Sequence, residues 1–265
     1  MSLSRREFAK VSAGTMLAML VPYQVAAEAA KALSPDGPRE TQDPSRAEYE
    51  RSGHDWAFVV DYQRCIGCGK CAVACKLENN VPIEPHFNRT WVERYVITDH
   101  EEVLVDSPDA GFHGFHDDLA EKYPGVKVRE SYYIPKLCNQ CDNPPCVQVC
   151  PVSATYKLKD GVILVDRKRC IGCRYCIQAC PYGARFLDPR VRTADKCTWC
   201  YHRITKDLLP ACVEACPVGA RIFGDRGDPE SRVSRILREE KVYVLKPDLK
   251  TRPRVFYMNL PEEVR

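Results

Sequence analysis

No apolar run in this sequence reaches the ~20 residues that a helix needs to cross a bilayer. The best stretch, Val11 to Val21, is too short and too rich in Gly, Ser and Thr. No long basic run occurs either: 39 Lys and Arg are interspersed with 36 Asp and Glu, so no continuous stripe for nucleic acid is present. No phosphate-cradling loop and no Ser/His/Asp constellation is evident, and nothing marks a place where a substrate would react. Cysteine is missing before Cys65 and after Cys216, yet sixteen occur from Cys65 to Cys216, in four groups of four. With 45% apolar and 28% charged residues over 265 positions the chain is globular, which excludes disordered and collagen-like classes.

The N-terminus reads Ser4-Arg5-Arg6-Glu7-Phe8-Ala9-Lys10, then the mild apolar stretch, then small residues from Ala26 to Ala30. Paired arginines before a modest apolar stretch resemble a bacterial twin-arginine export leader. The plainer alternative, a basic start to an amphipathic helix, leaves the small-residue end unexplained. The reading gives a leader over 1–29, a mature chain starting near Glu28 or Ala30, and a polar, proline-containing linker over 30–55.

The four groups are spaced Cys65-x2-Cys68-x2-Cys71-x3-Cys75, Cys138-x2-Cys141-x4-Cys146-x3-Cys150, Cys170-x2-Cys173-x2-Cys176-x3-Cys180 and Cys197-x2-Cys200-x11-Cys212-x3-Cys216. Three cysteines in one loop can wrap only three corners of a [4Fe–4S] cubane, and the fourth thiolate must come from elsewhere. In two-cluster ferredoxins the last Cys of each run ligates the other cluster. The third group, followed by Pro181, matches that run directly. Two other readings compete. Zinc ribbons take two-plus-two ligands and leave the middle Cys of the first and third groups without a role. Disulfides are normal in exported proteins with an even cysteine count. The twin-arginine route favours clusters, because it exports folded proteins whose cofactors are inserted beforehand.

Val60-Asp61-Tyr62-Gln63-Arg64-Cys65-Ile66-Gly67-Cys68 nearly repeats as Val165-Asp166-Arg167-Lys168-Arg169-Cys170-Ile171-Gly172-Cys173, the mark of a duplicated unit. Ala72 to Cys75, Ile177 to Cys180 and Val213 to Cys216 suit short helices. Pro151, Pro181 and Pro217 should stop three of them, and Lys76 holds the fourth place. The sequence predicts strands at Gly161–Asp166 and Thr90–Thr98. An acidic stretch from Asp99 to Glu121 reads as a solvated loop, or else as a docking surface, and His113 and His116 within it read as surface residues. After Cys216, Asp228 as N-cap and Pro229 at N1 predict a helix through Val233–Leu237. Strand-like Lys241–Leu245 and extended Arg254–Tyr257 follow, as a cap over the cysteine-rich body.

The arrangement resembles the four-cluster ferredoxin-like subunits of membrane-associated oxidoreductases: polysulfide, tetrathionate and dimethyl sulfoxide reductases and the formate-dependent nitrite reductase complex. The likeness runs from about Ala57 to Tyr257 and includes Cys138-Asn139-Gln140-Cys141-Asp142-Asn143-Pro144-Pro145-Cys146, Ala194-Asp195-Lys196-Cys197-Thr198-Trp199-Cys200 and Lys246-Pro247-Asp248-Leu249. From Cys138 onward it is most like tetrathionate-reductase subunits. The resemblance implies an α+β fold of two interleaved ferredoxin-like modules, each binding two clusters. The first module would span 56–80 and 190–224, the second 131–189, with an insertion over 81–130 and a C-terminal cap over 225–265. It implies four [4Fe–4S] clusters, held by Cys65, Cys68, Cys71 and Cys216; by Cys197, Cys200, Cys212 and Cys75; by Cys138, Cys141, Cys146 and Cys180; and by Cys170, Cys173, Cys176 and Cys150.

The implied role is one-electron transfer at the periplasmic face of the cytoplasmic membrane, with membrane contact only through partners. Those partners would be a polytopic quinone-reactive membrane subunit and a molybdopterin catalytic subunit or multihaem cytochrome. A free periplasmic polyferredoxin, or a subunit of a cytochrome-based nitrite or sulfite reductase complex, is the alternative. Losing the leader removes two positive charges and four oxidised clusters add about −2 each, which turns the formal +3 into about −7 and argues against nucleic acid. Arg64, Lys70, Lys136, Arg169, Arg174 and Lys196, beside the ligands, are candidates for offsetting cluster charge. Trp199 and Tyr175 are expected to shield clusters from water.

Overall fold

The computed structural model describes residues 53–264. The expected leader over 1–29 and nearly all of the linker lie outside the described residues. Strand β1 (Trp56–Asp61) leads into the first cysteine group, which ends within helix α1 (Lys70–Glu78). The insertion supplies β2 (Thr90–Thr98), β3 (Val103–Asp106), the single turn α2 (Leu119–Lys122) and β4 (Val128–Leu137), which delivers the chain to the second group. Thereafter the elements are short. Helix α3 (Pro145–Gln148) and β5 (Thr155–Lys157) belong to the second group; β6 (Ile163–Val165), α4 (Tyr175–Gln178) and β7 (Arg185–Asp188) frame the third. Around the fourth lie β8 (Thr193–Lys196), α5 (Tyr201–Ile204), α6 (Ala211–Glu214) and β9 (Arg221–Asp225). Helix α7 (Arg232–Glu239), β10 (Val242–Tyr243) and β11 (Val255–Met258) follow. The mixture of helix and sheet agrees with the expected class. Among the described residues no helix is long and apolar enough to cross a membrane.

Strand β1 is central to a four-stranded sheet of order β10-β11-β1-β9. It runs parallel to β11 and antiparallel to β9, with Phe58 opposite both Val255 and Phe223. Both faces of β1 are covered, which is why Ala57, Phe58, Val59 and Val60 are all apolar and fully buried. Phe58 and Val60 enter the main core, while Ala57 and Val59 pack with Ile222 against Val233 of α7. Antiparallel strands β3-β2-β4 form the sheet of the insertion, and β5-β6 and β7-β8 are hairpins. Helix α1 packs on α6, and α3 on α4.

The prolines act as expected. Helices α3, α4 and α6 stop after one turn, and the amides of Ser153, Gly183 and Gly219 each donate to the carbonyl of the group's last Cys over 3.3 Å. Lys76, free of that restriction, lets α1 continue to Glu78. Its side chain is 3% exposed, and Nζ donates to the carbonyls of Pro82 (2.8 Å), Ile83 (3.3 Å), Glu84 (3.0 Å) and Phe87 (2.7 Å).

Two sequence readings are corrected. Helix α7 is capped by Ser231, whose Oγ accepts from the Ser234 amide at 3.1 Å; Asp228 instead closes the preceding turn by accepting from the Glu230 amide. The acidic stretch is not simply a solvated loop. It contains β3, and its Asp106 and Asp117 each approach Nη2 of Arg94 to 2.7 Å, neutralising a guanidinium that is 1% exposed on β2. His113 and His116 are exposed, as expected.

Candidate functional site

The four groups share one backbone device. The residue before the second Cys is left-handed in each: Gly67 (φ 68°), Gln140 (φ 44°), Gly172 (φ 70°) and Trp199 (φ 55°). That conformation turns the chain sharply between the two cysteines of each CxxC. Glycine adopts it freely, whereas Gln140 and Trp199 carry a cost of about 1–2 kcal/mol. Both are buried and anchored. Gln140 Nε2 donates to the Cys197 carbonyl and its Oε1 accepts from the Ile163 amide, each at 2.8 Å. Trp199 packs edge-on against Phe223, with ring centroids 5.4 Å apart.

Side-chain contacts show which sulfurs are neighbours. Asn79, the residue capping α1, lies with Nδ2 3.6 Å from Cys75 Sγ and 3.5 Å from Cys200 Sγ, so the last Cys of the first group stands beside the fourth group. Cys65, Cys68, Cys71 and Cys216 line a single small cavity with Arg221. Cys146 and Cys176 pack in one cluster around Ile163 and Ala194, with Cys170 against it. None of the sixteen cysteines is in a disulfide. Among the described residues no three His, Cys, Asp or Glu converge where a single ion would sit.

Electrostatics repeats these neighbourhoods. Burial pushes the Cys75 thiol well above its ordinary value, and Cys200, Cys197 and Cys212 push it further. Cys65 is raised to about 11 by burial, with Cys71 and Cys216 adding to it. Cys141 reaches about 12 by burial and then through Cys138, Cys146 and Cys180. Cys212, also at about 12, is raised by burial and by Cys200 and Cys71, against the pull of Arg221. Cys197 is raised by burial, then by Cys212, Cys138 and Cys200. Thiols crowded in this way cannot ionise together unless a cation joins them, which is the chemistry of a metal–thiolate site.

Of the basic residues singled out from sequence, Arg64, Lys70, Arg169 and Arg174 are exposed and solvated. Lys136 is occupied by Glu93 at 2.5 Å. Lys196 is fully buried, with Nζ on the carbonyls of Ile163 and Cys197. Trp199 is buried as expected, whereas Tyr175, at the start of α4, is 59% exposed. Sequence reading missed Arg185 and Arg221, both deeply buried among the thiols. The signal was present: Cys180-Pro181-Tyr182-Gly183-Ala184-Arg185 repeats as Cys216-Pro217-Val218-Gly219-Ala220-Arg221.

The sequence matches the 4Fe-4S dicluster domain in two overlapping stretches, residues 64–154 and 129–226. It is 41% identical over 211 residues to a tetrathionate reductase subunit of Salmonella typhimurium, covering 79% of this chain and 74% of that protein. A tetrathionate reductase subunit of Archaeoglobus fulgidus is 43% identical over 209 residues, covering 79% and 84%. A polysulfide reductase subunit of Wolinella succinogenes is 34% identical over 202 residues, covering 76% and 92%. The chain belongs to this family of iron–sulfur electron-transfer subunits.

The residues of this family member fit its cofactors. Four [4Fe–4S] clusters need sixteen thiolates, and sixteen are present. Buried polar atoms next to the cysteine loops also lack any partner in the protein: both amide atoms of Asn139, Nε1 of Trp199, Nε and Nη1 of Arg185 and Nη1 of Arg221. Orphaned donors of this kind are rare in native interiors and mark the edge of a bound group. The clusters supply one-electron storage at low reorganisation; the protein holds them, excludes water and sets their charge environment.

Proposed function

We propose that the first group pairs with the fourth and the second with the third, giving two interleaved modules and the ligand sets that the family resemblance implies. The observation that carries this is Asn79 spanning Cys75 and Cys200. The packing of α1 on α6 and of α3 on α4 supports it, as does the pairing of β1 with β9. Cys71 and Cys212 are electrostatic neighbours, and so are Cys197 and Cys138. The wire then runs from the cluster of Cys65, Cys68, Cys71 and Cys216, through that of Cys197, Cys200, Cys212 and Cys75, to that of Cys138, Cys141, Cys146 and Cys180, and ends at that of Cys170, Cys173, Cys176 and Cys150.

In this reading the protein is exported by the twin-arginine route and sits at the outer face of the cytoplasmic membrane. It connects a quinone-reactive membrane subunit to a periplasmic catalytic subunit. Similarity to tetrathionate reductase subunits makes a sulfur-compound reductase the first catalytic partner to test. The test is fractionation of native membranes followed by co-purification and quinol-driven cluster reduction. Recovery with a polytopic subunit and reduction by quinol are expected. A wholly soluble, monomeric protein that quinol cannot reduce would replace this reading with a free polyferredoxin. Changing Arg5 and Arg6 to Lys is expected to hold cluster-loaded precursor in the cytoplasm.

A further inference from the structure

Arg185 and Arg221 occupy matching places. Each lies five residues after the last Cys of its group, behind a proline and a left-handed glycine (Gly183 φ 62°, Gly219 φ 64°), and opens the next strand, β7 or β9. They are 5% and 2% exposed. Each places Nη2 on a buried threonine hydroxyl: Arg185 on Thr155 Oγ1 at 3.0 Å, and Arg221 on Thr90 Oγ1 at 2.8 Å. Thr155 itself stands five residues after Cys150, at the corresponding place of the second group, whereas Thr90 comes from the insertion. Neither guanidinium has a carboxylate partner among the described residues, and each retains unpartnered N–H groups: Nε and Nη1 of Arg185, Nη1 of Arg221.

A guanidinium stays charged, and burying an isolated charge is strongly unfavourable unless opposite charge lies beside it. Among the described residues the groups placed to provide that charge are thiolates. Arg221 lines a cavity with Cys65, Cys68, Cys71 and Cys216, of the first and fourth groups, and the thiol charges that act most on it are those of Cys71, Cys212 and Cys65. The thiol charges that act most on Arg185 are those of Cys146, Cys176, Cys138 and Cys180, from the second and third groups, of which Cys146 and Cys176 share one packed cluster. Each arginine is thus acted on by thiols from both groups of one pair.

We propose that Arg221 and Arg185 are positioning residues for electron transfer, one inside each module, each lying between two clusters and donating its spare N–H groups toward their sulfurs. A fixed cation there stabilises the reduced form of both neighbours, because reduction adds negative charge, and it softens the repulsion between two reduced clusters in contact. The two threonines aim the forks; the clusters complete the hydrogen bonding. The inference rests on the pairing of groups proposed under the function of the chain.

The test uses the full cluster-loaded protein with Arg221→Gln, Arg221→Lys and the same two changes at Arg185, read by potentiometric titration with EPR detection and by iron content. Arg221→Gln is expected to shift two of the four midpoint potentials to more negative values, Arg185→Gln the other two, and each Lys variant to stay nearer the wild type. If a Gln variant loses two clusters, its Lys counterpart restoring all sixteen irons supports the proposal equally. It is overturned if Gln leaves all four potentials unchanged, if Lys falls as far as Gln, or if both variants lose clusters alike. Two potentials shifting in each variant, but not in pairs that match Cys75→Ser and Cys150→Ser, would overturn the pairing while keeping the role of the arginines.

Discussion

Gln140 and Cys197 are joined by a fully buried hydrogen bond of 2.8 Å, from the amide of a residue in the second cysteine loop to the backbone carbonyl of the first Cys in the fourth. Gln140 also accepts from the Ile163 amide at 2.8 Å, so one side chain ties together loops that lie far apart in sequence. Gln140→Leu leaves the Ile163 amide buried without a partner, at about 1–3 kcal/mol, and the Cys197 carbonyl with Lys196 Nζ alone. The expected outcome is a lower midpoint for loss of the iron–sulfur absorbance on heating, with four clusters still assembled at low temperature. An unchanged midpoint would show that the bond contributes nothing to the junction.

Cys75→Ser is expected to alter the cluster on Cys197, Cys200 and Cys212 and to spare the one on Cys65, Cys68 and Cys71. EPR of the reduced protein separates the outcomes. Loss of the second signal alone would reverse the ligand assignment drawn from Asn79.

Cys173 is the exposed member of the sixteen, while Cys138, Cys141, Cys197 and Cys200 of the second and fourth groups are buried. Limited treatment with an iron chelator and iodoacetamide is therefore expected to alkylate Cys173 well before Cys197, as read by peptide mass spectrometry. Labelling in the opposite order would mean that the third group is covered.

Arg94→Met removes the cation shared by Asp106 and Asp117 and is expected to destabilise the insertion by about 2 kcal/mol. That is less than the roughly 3–5 kcal/mol of a fully buried pair, because both carboxylates retain contact with water. Hydrogen exchange of β2 and β4 amides measures it. The same pair sets an acid limit. Burial raises Asp106, but the N–H bonds of Arg94 and then Lys122 outweigh it; for Asp117 the Arg94 bonds act first. Both carboxyls titrate below their ordinary range, so their contribution is complete above pH ~4 and is lost as pH falls below it. A loss of β2 amide protection, taken relative to the intrinsic exchange rate, is expected as pH falls below about 4 in the wild type and is smaller in Asp106→Asn, where Asp117 alone still titrates.

Much of this architecture was legible in the sequence because it depends on local chemistry. Cysteine spacing, helix-stopping prolines and the β-branched run Thr90–Thr98 are short-range signals, and strand β2 has those bounds. The helix after Cys216 was legible too, though Ser231 displaced Asp228 as its cap because only Ser231 reaches the Ser234 amide. What stayed hidden depends on partners remote in the chain. Asp106 and Asp117 look like solvated acids until Arg94 is placed between them. Arg185 and Arg221 look like ordinary strand residues until the thiols close around them. Lys76 showed only as a missing proline; its role in gathering four carbonyls of residues 82–87 emerges only in three dimensions.

The central position of β1 has a consequence for synthesis. Its neighbours are β9, where Trp56 meets Asp225, and β11, where Phe58 meets Val255. A ribosome releases Trp56 long before either partner exists, whereas β5 through β8 can form their two hairpins and the α3–α4 pair as soon as they emerge. The middle of the polypeptide is therefore expected to mature first, and the sheet of β1, β9 and β11 to close last. In the proposed pairing, a nascent chain stopped before Cys212 lacks Cys216, the thiol that completes the set of Cys65, Cys68 and Cys71, so filling of that site is expected to wait for a nearly finished chain.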